Sequence, residues 1–198
     1  KSNDLFQIGP FADGGNYTNQ GPQNVGDMST KGIEFSINYS VIKNENTNWD
    51  INFNATKFER RIDKIASGIP IYTGTSGAGT GGTSQILAEG FTPNSFYVYK
   101  QLYSANGSPI EGGFADLNGD GIITGEDRYI YKNPDPDVLL GFSSTFRYKN
   151  LDFGFNLRAS VGNRILNTIK STGSYYSQLH NGQLHHVSTN VLNTNFEF

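Results

Sequence analysis

Strict alternation of apolar and polar residues is the feature of this sequence that most constrains its fold. Apolar side chains occupy every second position of residues 33–41, from Ile33 to Val41, and residues 49–57 repeat the pattern. The same alternation returns in residues 139–148 and then, without a break, in residues 151–161. Successive side chains of a β-strand point to opposite faces. The pattern therefore predicts four strands that each have one apolar and one polar face.

The connections between these strands are of two kinds. The polar run of residues 43–48 separates the first two strands, and only Lys149 and Asn150 separate the last two. Short polar connections of this kind favour antiparallel hairpins. By contrast, a long loop is predicted between the two hairpins, at about residues 59–137, and residues 162–198 are predicted to be a further loop segment.

Two kinds of fold produce this periodicity. A soluble sandwich buries one face of each sheet, whereas a transmembrane barrel turns its apolar face to lipid and its polar face to a wet lumen, and the alternation alone does not separate them. Strands of about 9–11 residues cross a bilayer when tilted. Tyr39, Trp49, Tyr148 and Phe153 fall at the turn ends, where an interfacial aromatic girdle is expected.

The loop lengths favour the barrel. Short turns on one side and long loops on the other are typical of outer-membrane barrels. We therefore predict an all-β fold, an antiparallel transmembrane β-barrel segment that is part of a large outer-membrane barrel with long extracellular loops.

Composition narrows the range of partners and activities. The formal net charge of −3 argues against nucleic acid as a partner, because phosphate-binding domains usually display a clustered basic face. No nucleophile–base pair or pair of catalytic carboxylates can be assembled from the sequence, so we expect no enzymatic activity. The histidines, His180, His185 and His186, lie in a polar segment and are interpreted as surface residues.

Residues 116–127 place oxygen-bearing side chains at the spacing of a calcium loop. Ca²⁺ takes about 6–8 oxygen ligands, and a glycine at the sixth position of such a loop permits its sharp turn; here that glycine is Gly121. Thr124, at the ninth position, is expected to hold a bridging water. The predicted ligands are the side chains of Asp116, Asn118, Asp120 and Asp127 and the main-chain carbonyl of Ile122.

The flanking residues set this loop apart from an EF-hand. Asp127 is one methylene shorter than the glutamate that usually closes the shell, and Asn133-Pro134 stops any helix soon after it. We interpret the segment as a structural calcium loop in a β or loop context, with a turn-rich surface loop as the alternative. Its carboxylates, Asp116, Asp120 and Asp127, are expected to converge and to repel one another without a cation.

Residues 95–103 are strand-like and aromatic on both faces. Exposed tyrosine rings in this stretch could stack on sugars or contact peptides. Packing of the long loop onto itself is the favoured interpretation, since large aromatic side chains gain much from burial.

Several segments, in order and spacing, resemble the SusC/RagA-type TonB-linked outer-membrane proteins of Bacteroidetes. The resemblance covers residues 24–195. It rests on Gly26–Phe35 (GDMSTKGIEF), Trp49–Asn54, Ala115–Gly121 through Asp127-Arg128 to Asn133–Pro136, Tyr148–Asp152 (YKNLD) and Gly162-Asn163.

The resemblance implies a function and a location. Members of that family are barrels of about 22 strands with a plugged lumen; they lie in the lipid of the bacterial outer membrane and import glycans or peptides. A SusD-like surface lipoprotein forms the lid, and the TonB complex supplies energy. The chain lacks the plug and TonB-box regions, so we expect a late portion of the barrel that needs the remaining barrel segments to cover its strand edges. The alternative is a secreted β-rich carbohydrate-binding module with a structural calcium site.

Overall fold

The computed structural model describes residues 6–10, 20–75, 82–168 and 189. These residues include twelve β-strands and a 3₁₀ turn at Gly125–Asp127. No helix among them is long and apolar enough to span a membrane. The strands are β1 (Phe6–Pro10), β2 (Gln20–Asn24), β3 (Gly26–Lys43), β4 (Thr47–Ile65), β5 (Ile71–Thr75), β6 (Thr83–Leu87), β7 (Ser95–Tyr99), β8 (Gln101–Tyr103), β9 (Pro109–Phe114), β10 (Arg128–Ile130), β11 (Val138–Tyr148) and β12 (Leu151–Val161).

The four longest strands form one antiparallel sheet in the order β3-β4-β11-β12. It belongs to a first compact unit that contains, among the described residues, 6–10, 20–69, 88–93 and 134–164. The register places Phe142 opposite both Phe53 and Leu157, and the next residue, Ser143, opposite Asn52 and Asn156. Because like residues face each other across the strands, the alternation seen along the sequence becomes one apolar and one polar sheet face.

Strands β3 and β4 extend well beyond the predicted segments, residues 33–41 and 49–57. They contain 18 and 19 residues, or roughly 60 Å at about 3.3 Å per residue, twice the thickness of a bilayer core. Their far ends pair Lys31 with Glu59 and Ser29 with Arg61, and charged residues there interrupt the alternation. Hydrophobic periodicity therefore reported only the part of each strand that carries the apolar face.

The hairpin β1–β2 was not predicted from the sequence. Its residues, 6–10 and 20–24, include glycine and proline and lack strand-like alternation.

Residues 88–91 cap the far end of β4. The Ile62 amide donates to the Phe91 carbonyl at 2.9 Å, and the Gly90 amide donates to the Ile62 carbonyl at 2.8 Å. The Ile65 amide donates to the Glu89 carboxylate at 2.7 Å. Ile62 and Ile65 are fully or almost fully buried, so this end of β4 lies in a small core.

Among the described residues, the second compact unit contains residues 70–75, 82–87, 94–133 and 165–168. In it β5, β6, β7 and β10 form an antiparallel sheet in the order β10-β7-β6-β5, and β8 pairs with β9. Ile86, Leu87 and Phe96 are buried. The segment predicted as a loop at about residues 59–137 therefore contains regular structure, in strands of three to six residues that are too short for periodicity to reveal.

The rest of the second predicted loop falls mainly outside the described residues. Residues 169–188 and 190–198 of the predicted segment 162–198 are not described. The three histidines are among them, and their predicted surface position stays a prediction.

Candidate functional site

The predicted calcium loop, residues 116–127, winds around the carboxylate of Asp116. Its Oδ1 accepts a hydrogen bond from the Gly119 amide at 2.6 Å, and its Oδ2 accepts one from the Gly121 amide at 2.7 Å. Gly121 has φ +80°, a left-handed conformation that residues with a Cβ rarely adopt. The first and sixth positions of the loop thus meet through a carboxylate–amide bond.

Asn118 and Asp120 lie on the exposed side of the same loop. The Asn118 side-chain amide donates to Asp120 Oδ2 at 3.0 Å, and the Asp120 amide donates to Asn118 Oδ1 at 3.1 Å. Asp120 Oδ1 also accepts from the amide of Ile122 at 2.8 Å. The Ile122 side chain itself is 65% exposed.

Asp127 lies inside the loop and is fully buried. Its Oδ2 accepts from the Thr124 amide at 2.7 Å, and its Oδ1 accepts from the Leu117 amide at 2.8 Å. A longer bond of 3.4 Å reaches Oδ1 from the Asn118 amide. The Thr124 hydroxyl accepts from the amide of Glu126 at 3.2 Å. Thr124 and Asp127 also form a capping box on the 3₁₀ turn, in which each side chain accepts from the main-chain amide of the other residue.

This environment lowers the pKa of Asp127. The largest cause is the hydrogen bond from the Thr124 amide; bonds from Leu117 and Asn118 act in the same direction, and burial opposes them. Amide donors stabilise the ionised carboxylate more than the protonated one. Asp127 is therefore a buried anion whose hydrogen bonds to Leu117 and Thr124 hold the start and the end of the loop together. Sequence spacing did not indicate this role.

The geometry fits a calcium ion in part. The expected convergence of the three carboxylates is not seen: Asp116 and Asp127 each accept hydrogen bonds from main-chain amides, whereas Asp120 turns toward Asn118. Nowhere in the described chain do three His, Asp or Glu side chains lie close enough to hold a metal. An ion here would need side-chain amide and main-chain oxygens as well, and the Asp116 and Asp120 oxygens keep lone pairs beyond those used by these amide hydrogen bonds.

A second cluster lies in the first unit, where the turn at residues 133–137 leads into β11. The Arg60 guanidinium forms a two-pronged ion pair with Asp135, with Nε donating to Oδ2 at 2.8 Å. The Asp137 amide donates to the Val161 carbonyl at 2.8 Å. Gly162 has φ +82°, and a Cβ there would overlap the Asp137 carboxylate. Sequence reasoning singled out the Asn133–Pro136 and Gly162-Asn163 segments without finding these contacts.

The apolar face of the long sheet is open to its surroundings. Leu151, Phe153 and Leu157 of β12 are 72%, 65% and 59% exposed, far more than a soluble sheet packed on a core would allow. On the same face Ser144 is buried, and its hydroxyl accepts from the indole N–H of Trp49 at 2.9 Å. Both polar groups are thus paired, as an apolar environment requires.

The solved structures most informative for the fold are those of a peptide transporter. "Structure of the RagAB peptide transporter" aligns with a TM-score of 0.58 and 21% identity over 79% of this chain and 18% of that one. The structure of the same importer in its "open-open" state aligns with a TM-score of 0.56 and 19% identity, over 81% of this chain and 17% of that one. The fold is therefore that of an antiparallel β-barrel segment, as the strand pattern predicted.

Sequence comparison finds TonB-dependent receptors as relatives, although no family model matches. The chain is 41% identical over 170 residues to the TonB-dependent receptor SusC of Bacteroides thetaiotaomicron, covering 83% of this chain and 17% of the receptor. It is 37% identical over 168 residues to TonB-dependent receptor P3 of Formosa agariphila, with coverage of 77% and 17%. Over most of its length the chain is therefore similar to one segment of the SusC/RagA-type TonB-linked outer-membrane proteins, and it spans about a sixth of the length of these relatives.

The names of these relatives also bear on chemistry. They are receptors and transporters rather than enzymes, which agrees with the expectation that the chain has no enzymatic activity.

Proposed function

We propose that this chain is a late portion of the barrel of a TonB-dependent outer-membrane transporter that imports glycans or peptides. The observation that carries the proposal is the two-faced sheet β3-β4-β11-β12, with its exposed apolar face and its polar face. In the described structure β3 and β12 each pair on one side only within this sheet. Unpaired edges are not tolerated in a bilayer, so neighbouring strands from the remaining barrel segments would complete the pairing.

The proposed partners follow from the family. They are a SusD-like surface lipoprotein as the lid, the TonB complex acting through regions outside this chain, and outer-membrane lipid around the apolar face. The similarity to SusC and to the RagAB peptide transporter supports transport. Both a glycan and a peptide remain candidate substrates at this level.

The loop at residues 116–127 is proposed to hold one structural Ca²⁺ on the extracellular side. Short turns of such barrels are periplasmic and long connections are extracellular, which would place the segment between β4 and β11 outside the cell. Asp116 lies near enough to Asp127 to influence the pKa of that carboxyl, and neighbouring carboxylates repel unless a proton or a cation intervenes. An ion bound by Asp116, Asn118, Asp120, the Ile122 carbonyl and Asp127 would supply that charge.

The second candidate is a secreted carbohydrate-binding module with a structural calcium site. The small sheet of the second unit, with Ile86, Leu87 and Phe96 buried, favours it because that unit has apolar packing of its own. The exposed apolar face of the long sheet argues against it, since such a surface would aggregate in water. Dependence on detergent separates the two: a module would stay soluble and monomeric without it.

Uptake by cells tests the proposed function. Cells that produce the protein should accumulate labelled oligosaccharide or oligopeptide, and deletion of TonB should abolish the accumulation while leaving the amount of protein in the outer membrane unchanged. Accumulation that is independent of TonB, or no accumulation of either class of substrate, would contradict the proposal.

A further inference from the structure

A cleft of about 590 Å³ lies in the second unit, between the small sheet and the loop at residues 116–127. It is open to solvent, and neither the barrel nor the calcium proposal assigns it a role. Tyrosines of β5 and β7 form one side, and the end of the loop forms the other. The lining residues are Tyr72, Tyr97, Asp120, Thr124, Gly125, Glu126 and Arg128.

The sheet side of the cleft is a pair of aromatic rings. The centroids of Tyr72 and Tyr97 are 5.7 Å apart, and the ring planes make an angle of 35°. Tyr72 is 50% exposed, whereas Tyr97 is half-buried and its burial is the main cause that raises the pKa of its hydroxyl. Tyr97 thus supports the neighbouring ring, and Tyr72 presents aromatic surface to a ligand.

Arg128 joins the two sides of the cleft. Its Cζ lies 4.6 Å from the ring centroid of Tyr97 and 5.3 Å from that of Tyr72. Its Nε donates to the Gly125 carbonyl at 3.2 Å, and its Nη1 donates to the Thr83 carbonyl at 3.4 Å. The guanidinium therefore connects the end of the loop to the sheet, and its charge is already engaged by these contacts.

The loop side of the cleft carries hydrogen-bonding groups. Glu126 is exposed, and within the described part of the chain its carboxylate makes no hydrogen bond or ion pair. The Thr124 hydroxyl can both donate and accept. Glu126 and Arg128 balance each other in charge, so the lining residues outside the proposed calcium ligands offer no net positive charge to an anionic ligand.

We propose that this cleft binds a neutral sugar ring, with Tyr72 as the stacking surface and Glu126 as the main acceptor for ring hydroxyls. The weakly positive C–H groups on one face of a sugar complement the negative face of an aromatic ring. Sugar hydroxyls are donors that carboxylates accept. The assignment rests on the proposed function in one respect, because it makes a glycan rather than a peptide the substrate that meets the cleft.

Binding is tested on the full protein in detergent by isothermal titration. The probes are hexaoses of glucose, mannose, xylose and galactose in their common linkages, with a pool of neutral hexapeptides as comparison. At least one hexaose should bind, and Tyr72→Ala should weaken it by about tenfold or more, a change of about 1.4 kcal/mol. Tyr72→Phe should keep most of the affinity because the ring remains, and Glu126→Gln, at an exposed position, should weaken binding without affecting folding.

Tyr103→Ala is the matched control, since Tyr103 is another exposed tyrosine of the same unit, 64% exposed on β8 and absent from the cleft lining. It should leave affinity unchanged. The assignment is overturned if no hexaose binds, if Tyr72→Ala and Glu126→Gln bind as the wild type does, or if the hexapeptides alone bind with dependence on Tyr72.

Uptake measured in parallel separates the two proposals. If TonB-dependent uptake is equal for wild type and Tyr72→Ala, the protein is a transporter but the cleft is not its sugar-binding site. Hexaose binding that depends on Tyr72, in cells that show no uptake, would uphold the cleft and remove transport.

Discussion

The main-chain amide of Lys149 donates a 2.8 Å hydrogen bond to the carbonyl of Asn46. This bond joins the turn between β11 and β12 to the turn between β3 and β4. Asn44 stabilises the turn between β3 and β4, because its side-chain oxygen accepts a hydrogen bond from the Thr47 amide at 2.7 Å. The two short turns therefore lie side by side at one end of the sheet, as the pairing of β4 with β11 requires.

Lys149→Pro should disrupt this pair of turns. Lys149 has φ +50°, whereas proline holds φ near −65° and has no N–H to donate. We expect a loss of about 1–3 kcal/mol in the free energy of unfolding, from one hydrogen bond and a forced backbone change. Lys149→Gly, which keeps the N–H and tolerates positive φ, is the control and should unfold near the wild-type temperature in detergent.

Opposite faces of β12 should differ sharply in their tolerance of charge. Phe155→Arg places a cation on the apolar face and should cost about 2–4 kcal/mol if the site lies near the bilayer midplane. Asn156→Arg changes the next residue, which lies on the polar face, and should cost much less stability. The measurement is the amount of folded protein in the outer membrane, and equal tolerance at both positions would contradict the barrel assignment.

The ion pair between Arg60 and Asp135 should hold the turn that leads into β11. Asp135→Asn removes one charge of a bidentate, half-buried pair, and charge-assisted hydrogen bonds of this kind are worth about 1.5–3 kcal/mol before allowance for solvent at the exposed edge. We expect faster hydrogen–deuterium exchange in residues 133–139. Asp152→Asn breaks the exposed pair with Arg147, whose side chains are 59% and 66% exposed; it is the control and should leave those residues unchanged.

Acid should loosen the loop at residues 116–127. The folded-state pKa of Asp127 lies below its ordinary value near 4, so its contribution to stability is present above that ordinary pKa and is lost as the pH falls through the lowered one. Protection factors of peptides covering residues 115–128 should therefore decrease as the pH falls through the lowered pKa of Asp127. The Asp127→Asn variant should show weaker protection at neutral pH and should no longer show this decrease in acid. If the decrease is unchanged in the variant, another group causes it.

Calcium should stabilise the same loop. We expect Ca²⁺ to raise the protection of residues 115–128 with a dissociation constant as weak as about 10⁻⁴–10⁻³ M, the range of extracellular modules. Asp116→Asn and Asp120→Asn should remove the effect. Glu126→Gln, within the loop but outside the predicted ligand set, should retain it. Equal responses of all three variants, or none in the wild type at 10 mM Ca²⁺, a concentration well above that range, would show that the loop is held by its hydrogen bonds alone.

Sequence periodicity predicted the strands correctly where one sheet face has to be apolar over many consecutive residues. Along β12 every second residue faces the apolar side, so the strand at Leu151–Val161 could be recognised and bounded. In β3 and β4 the requirement ends where the apolar face ends, near Gly32 and Phe58, and the predicted strands stopped there although the pairing continues. The short strands of the second unit carry no long repeat, so they were taken for loop.

The sequence by itself determined the two faces of the long strands, the position of their short turns and the oxygen-rich spacing of residues 116–127. These features are local, because each depends on residues that are neighbours along the chain. Only the tertiary structure decided that Arg60 meets Asp135, that Asp127 turns inward to its amides, and that Tyr72 and Glu126 line one cleft. Those relationships join residues separated by up to 75 positions, and chain separation carries no information about which side chains the sheet brings together.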